Sequence, residues 1–192
     1  MYETLGIIAG ILALGGYIPY IYTTIKGSNR PNKATWFIWT LVGGLLAFSY
    51  MSAGDKNAIW VPLGYFIGPL IVAILSMRYG YSEWTKFDTF CVVAAVISLV
   101  PWFLSNDATI TLLINVMIDA TGALPTIIKT YREPESEDFV SWLIFFIANT
   151  LEVIAISNWD LSAVYPFYLF FLAGSITLLS IKDKVKEKYL RM

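Results

Sequence analysis

Apolar runs of about 20 residues recur along this chain at roughly 4–26, 34–53, 58–79, 87–104, 108–131, 139–158 and 162–182. Short polar stretches separate them. A helix needs about 20 apolar residues to cross the hydrocarbon core of a bilayer. The pattern therefore predicts an all-α integral membrane protein of seven transmembrane helices joined by short loops.

The first three runs match the last three. Gly16, Pro19, Ile21, Thr24, Trp36, Ile38 and Leu45 return at an offset of 106 as Gly122, Pro125, Ile127, Thr130, Trp142, Ile144 and Leu151. After a loop shortened by two residues the match resumes at offset 104, where Pro62, Leu75 and Ser76 face Pro166, Leu179 and Ser180. A fixed-period match of this length reads as a duplicated structural unit. The expected organisation is a first three-helix repeat over 1–80, a linker helix over 81–106, a second repeat over 107–183 and a tail over 184–192. A three-helix unit has an odd number of crossings, so a direct fusion would invert the second copy. One extra helix restores the parallel orientation, and duplicated membrane units of this kind work as two halves around a solute path.

Composition agrees with a bilayer as the solvent. The chain is 57% hydrophobic and 14% charged, too little polar surface for a water-soluble domain of this length. Twelve of the 13 Lys and Arg residues fall on one side of the predicted layout, with Lys56 alone on the other. By the positive-inside bias the C-terminus is cytoplasmic and the N-terminus outside. Trp36, Trp84 and Trp142 are expected at the inner interface, and Trp60, Trp102 and Trp159 at the outer one. The start of the chain lacks the basic region of a cleaved signal, so the first run reads as a retained span. The expected location is a prokaryotic plasma membrane, with lipid as the surrounding partner. No basic face suggests nucleic acid. The single cysteine, Cys91, excludes an intramolecular disulfide or a thiolate cluster and reads as a packing residue. No histidine is present, so proton chemistry falls to carboxylates. No metal, cofactor or catalytic constellation is expected.

The motifs inside the repeats resemble the SWEET and PQ-loop transporter superfamily. Its members pair a Pro-Gln in the first helix of each unit with a basic short loop and a Ser or Thr opening the second helix. Here the copies run from Pro19-Tyr20 to Lys26 and Thr35, and from Pro125-Thr126 to Arg132 and Ser141. Tyr20 and Thr126 stand where the family has Gln. The resemblance spans both repeats and implies two parallel three-helix bundles joined by an inverting helix, acting by alternating access. The added prolines and the Asn of sugar-transporting members are missing.

Four intramembrane polar residues are the sharpest candidates for chemistry. Asp119 and Glu152 lie inside apolar runs, where a carboxylate costs about 2.5–3.5 kcal/mol even on the lenient insertion scale. Asn115 precedes Asp119 by four residues and Asn149 precedes Glu152 by three, so each pair shares a helix face. By helix rise Asp119 lies about 16 Å deep and Glu152 about 10 Å. Their counterparts in the first copy are Ala13 and Leu46, so the polar chemistry sits in the second copy. The expected solute-binding set is Asn115, Asp119, Asn149, Glu152, Tyr20 and Thr126. An acid on the corresponding helix couples protons in related exporters, which the resemblance brings to Asp119. Pro19 and Pro125 each remove a backbone donor and read as matched hinges. Glu133, Glu135, Glu137 and Asp138 read as a solvated turn, and the alternating charges of 182–191 as a headgroup anchor.

Three classes of function remain open on these residues. The leading one is a transporter of a small polar solute such as an amino acid or amine, coupled to protons. A facilitative sugar uniporter needs neither acid to titrate, and a seven-helix ligand sensor needs no transport. Retinal chemistry lacks a lysine within the last helix, and an intramembrane enzyme lacks a nucleophile–base arrangement.

Overall fold

The structure is a computed structural model that describes residues 2–52, 60–105, 107–157 and 160–182. All regular structure among them is helical, in the order α1 (Tyr2–Ile25), α2 (Lys33–Ser52), α3 (Trp60–Tyr79), α4 (Lys86–Leu104), α5 (Ala108–Arg132), α6 (Phe139–Ile154) and α7 (Val164–Ser180). Single 3-10 turns at Pro134–Ser136 and Leu161–Ala163 precede α6 and α7. The expected runs and the observed helices agree closely. Three stretches, Thr4–Ile25, Lys86–Leu104 and Thr109–Arg132, are long and apolar enough to cross a membrane by length and composition; the other four helices contribute shorter apolar stretches. At 16 residues α6 rises about 24 Å, against a hydrocarbon core of about 30 Å. Lys56, Trp159 and the tail at 184–192 lie outside the described residues.

Local chemistry sets the helix ends. Asn32 Oδ1 accepts from Thr35 N at 3.1 Å to start α2, and Asp138 Oδ2 accepts from Ser141 N at 2.8 Å to start α6. Both caps satisfy an amide that the first helical turn leaves without a partner. They also sit at positions 106 apart, so the sequence match extends to the capping geometry. Thr85 and Asp88 form a reciprocal capping box at α4, and Asp107 Oδ1 accepts from Thr109 N and Ile110 N at α5. After α1 the chain reverses at Gly27, whose φ of +76° places it in the left-handed region that glycine adopts without a Cβ clash.

Packing divides the chain into two compact units. One is continuous, Pro31–Thr126; the other joins Met1–Arg30 to Ile127–Met192. The boundary cuts α5 immediately after Pro125-Thr126. In the continuous unit α2 packs on α3 and α4. Its centre is Ile38, Val42, Cys91, Ala95 and Ile118, with Val92, Leu99 and Ile114 against them. In the other unit α6 packs on both α1 and α7.

The helix pairing follows from two glycines 106 residues apart. Gly16 of α1 lies so close to the Phe145 ring of α6 that a methyl group there would overlap it. Gly122 of α5 lies in the same way on Ile38 of α2, with the Trp39 ring in ordinary contact beside it. Trp39 and Phe145 are also 106 apart. In each unit, then, the first helix of one matched segment packs on the second helix of the other. The repeat legible in sequence and the units formed by packing are different divisions of the same chain.

Gly43 and Gly44 test the α2–α3 contact inside the continuous unit. A Cβ on Gly43 would fall on the carbonyl oxygen of Tyr65 and the Cα of Phe66, whereas one on Gly44 would meet only the Phe66 ring at 3.4 Å. Backbone cannot yield as a side chain can, and overpacking costs about 1–3 kcal/mol. Thermal unfolding in detergent should therefore show Gly43→Ala destabilised by that amount. Gly44→Ala should be neutral or stabilised, because Ala in a helix is favoured over Gly by about 1 kcal/mol. Equal behaviour of the two variants would remove the close approach.

Candidate functional site

The four polar residues singled out within apolar runs fall into one pair per unit. Asn115 and Asp119 lie one turn apart on α5 in the continuous unit. Asp119 is buried, and Asn115 Oδ1 is shielded from solvent with no hydrogen-bond partner among the described residues. Trp39 Nε1 donates to the Asp119 carbonyl oxygen at 3.3 Å, fixing α5 on α2 at this level. Asn149 and Glu152 lie on α6 in the other unit. Asn149 Nδ2 donates to the Phe145 carbonyl at 2.8 Å, and Glu152 is half-buried.

Tyr20 and Thr126, the two motif positions, are both fully buried and both engaged. Thr126 Oγ1 donates to Thr35 Oγ1 at 2.9 Å, joining α5 to the start of α2. The Tyr20 hydroxyl donates to Glu137 Oε2 at 2.8 Å, joining α1 to the turn before α6. Pro19 and Pro125 both lie within helices. The Pro19 carbonyl accepts from Thr23 Oγ1 at 2.9 Å.

The loop between α5 and α6 differs from the solvated turn expected of four acids in six residues. Glu137 is buried and accepts from three donors: Tyr20 OH, Trp142 Nε1 at 2.7 Å and the Lys129 ammonium. The side chains of Lys129 and Glu137 are 2% and 0% exposed, so this ion pair is dry. Lys129 gives its other donors to the carbonyls of Arg30 and Ser136. Glu133 pairs with Arg30 at 2.7 Å, and Asp138 caps α6. Of the four, Glu135 alone is exposed.

The sequence held a signal for this cluster. Lys129 lies within an otherwise apolar run; Trp142 and Tyr20 each carry a polar tip that needs a partner when buried. One acceptor between them satisfies all three. Pro134, which cannot continue a helix, bends the chain so that Glu137 returns beside Lys129 within eight residues.

The matched positions in the first copy of the repeat carry different chemistry. Thr23 corresponds to Lys129 and Pro31 to Glu137, so no charge pair can form there. The continuous unit instead buries Asp88, which accepts from Asn32 Nδ2 at 2.9 Å and closes the α4 capping box. Among the described residues no group of three His, Cys, Asp or Glu side chains is gathered as a metal site. No protein-family model, curated protein or solved structure matches this chain.

The two ion pairs of the loop make a direct comparison. Removing one partner of a buried pair strands a charge and costs about 3–5 kcal/mol, while a partly exposed pair is worth about 0–1 kcal/mol. Lys129→Ala should fall in the first class. Arg30→Ala should fall in the second, since its side chain is 42% exposed and that of Glu133 33%. Replacing both members of the buried pair, Lys129→Met with Glu137→Leu, should recover most of the loss, because an apolar pair of similar volume is often as stable. Denaturation in detergent measures all three; a Lys129→Ala cost no larger than that of Arg30→Ala would mean the pair is wet.

Proposed function

We propose that this chain is a membrane transporter that moves a small polar solute by alternating exposure, with proton coupling through an intramembrane carboxylate. The observation that carries this reading is the Asn115–Asp119 face of α5. It puts a buried carboxylate, and an amide oxygen with no hydrogen-bond partner among the described residues, inside a helix long and apolar enough to cross a bilayer. Polar groups at that position are expensive and face protein, water or a solute path. In this reading all seven helices cross, the N-terminus is outside and the basic loops face the cytoplasm. The two matched three-helix segments supply the moving parts, as in the SWEET-like and PQ-loop transporters that the motifs resemble.

The chemistry of coupling follows from solvation. A carboxylate in a dry environment holds its proton more tightly than one in contact with water. A conformational change that alternately dries and wets Asp119 would bind a proton on one side and release it on the other. The solute class this favours is an amino acid or other amine, which a carboxylate and an amide can both recognise.

Flux into proteoliposomes tests the reading. Under an imposed pH difference the wild type should accumulate solute, and Asp119→Asn should abolish accumulation while leaving downhill exchange measurable. Accumulation by that variant would exclude Asp119 as the coupling site. A wild-type flux indifferent to pH would assign facilitated diffusion, the sugar-uniporter alternative. Specific binding without flux across a broad solute screen would assign a sensor instead.

A further inference from the structure

We infer that the buried Lys129–Glu137 pair, which joins the end of α5 to the turn before α6, anchors a conformational latch: it holds the end of α1 through Tyr20 and Arg30, and bending α1 at Pro19 breaks those ties and opens the pair to water. The geometry places every tie on the stretch that follows that proline. Tyr20, the next residue, gives its hydroxyl to Glu137. Asn29 donates from Nδ2 to Thr24 Oγ1 at 3.1 Å, folding the exit of α1 back on the helix. Arg30 is held three times, by its carbonyl to Lys129, its amide to Ser136 O at 2.9 Å and its guanidinium to Glu133. The stretch from Tyr20 to Arg30 is thus fastened at both ends to one charge pair and the turn that carries it.

Bending is possible at that point because Pro19 has no amide hydrogen for the carbonyl one turn earlier. It is opposed by the contacts just described. An ion pair opposes it in a particular way. Dry, the two charges attract strongly; once water enters, the effective dielectric rises and most of that attraction is lost. The contact is therefore held or released and does not slide, which is what a two-state element requires. An apolar contact of the same volume would hold the helix but would yield gradually.

The stretch after the matched proline meets the same pair differently, since Lys129 itself lies four residues after Pro125 on α5. Beside Pro125 the corresponding tie is the neutral Thr126–Thr35 hydroxyl bond, and positions 23 and 31 supply Thr and Pro where the latch has Lys and Glu. The two prolines read as equivalent hinges in the sequence are therefore unequal: the stretch after Pro19 is held to the pair through Tyr20 and Arg30, and the stretch after Pro125 carries one of the two charges. The latch lies within a single packing unit, so it stands independently of which solute the chain carries or whether it carries one.

Spin labels at Lys26→Cys and Val140→Cys, in a Cys91→Ala background, report the distance from the end of α1 to the start of α6. Both label positions are exposed. In the full chain in lipid the parent should give one short, narrow distance distribution. Glu137→Gln keeps the shape and removes the charge, and it should add a second, longer population; Lys129→Met should do the same. Adding Pro19→Ala to Glu137→Gln should suppress that population, because the helix can no longer bend there. A single unchanged distribution in both charge variants would overturn the latch, as would a long population indifferent to Pro19→Ala. If neither charge variant assembles, Tyr20→Phe carries the test by removing one hydroxyl. It should give a smaller long population, and an unchanged distribution in it would also overturn the proposal.

Discussion

A charge removed from water must meet an opposite charge and have its remaining hydrogen-bonding positions filled. In this chain that constraint is met at Lys129 and Glu137, and much of the surrounding structure follows from meeting it. The lysine needs three acceptors and finds a carboxylate and two carbonyls. The carboxylate needs more than one donor and finds the tips of Tyr20 and Trp142 as well. Satisfying both ions brings together the exit of α1, the end of α5, the 3-10 turn and the first turn of α6. That shared acceptor takes the Tyr20 hydroxyl in a fully buried position. The same demand on a smaller scale explains the Asn32–Asp88 bond and the duplicated helix caps.

Much of the fold was legible because apolar length is a strong signal. Each of the seven runs became a helix, and the caps Asn32, Thr85 and Asp138 are residue types whose side chains accept from backbone amides. Asp119 stood out because a lone acid in an apolar helix has few places to go, and the structure buries it. The acidic loop was misread for a physical reason. Four acids in six residues suggest solvation only while their partners are unknown, and two of those partners, Tyr20 and Arg30, lie on α1 and just after it, more than 100 residues away by sequence. Helix pairing was hidden in the same way. Hydropathy gives the length of a helix and says nothing about which neighbour has the aromatic ring to fill a glycine notch, as Phe145 does for Gly16.

The two prolines show how one motif can acquire two roles. Both remove the same backbone donor, yet the residues that follow them meet the charge pair differently, and their positions relative to the packing units differ too. Pro19 lies well inside one unit. Pro125 lies one residue from the point where α5 passes from one unit to the other. A sequence match reports common geometry; the residues that diverge within it decide what each copy does.

The discontinuity of the first unit bears on the order in which the chain is made. Tyr20 emerges 117 residues before Glu137, the group its hydroxyl finally meets. At a synthesis rate of roughly 5–20 residues per second, α1 must wait on the order of ten seconds for α6. The continuous unit has all of its helices by residue 126 and can pack in the meantime. The helix left waiting is α1, one of the three with the length and apolar character to cross a membrane, whereas α6 and α7 offer shorter apolar stretches. The late helices thus arrive at a partner already in place, and the last step of assembly is also the one that encloses the charges.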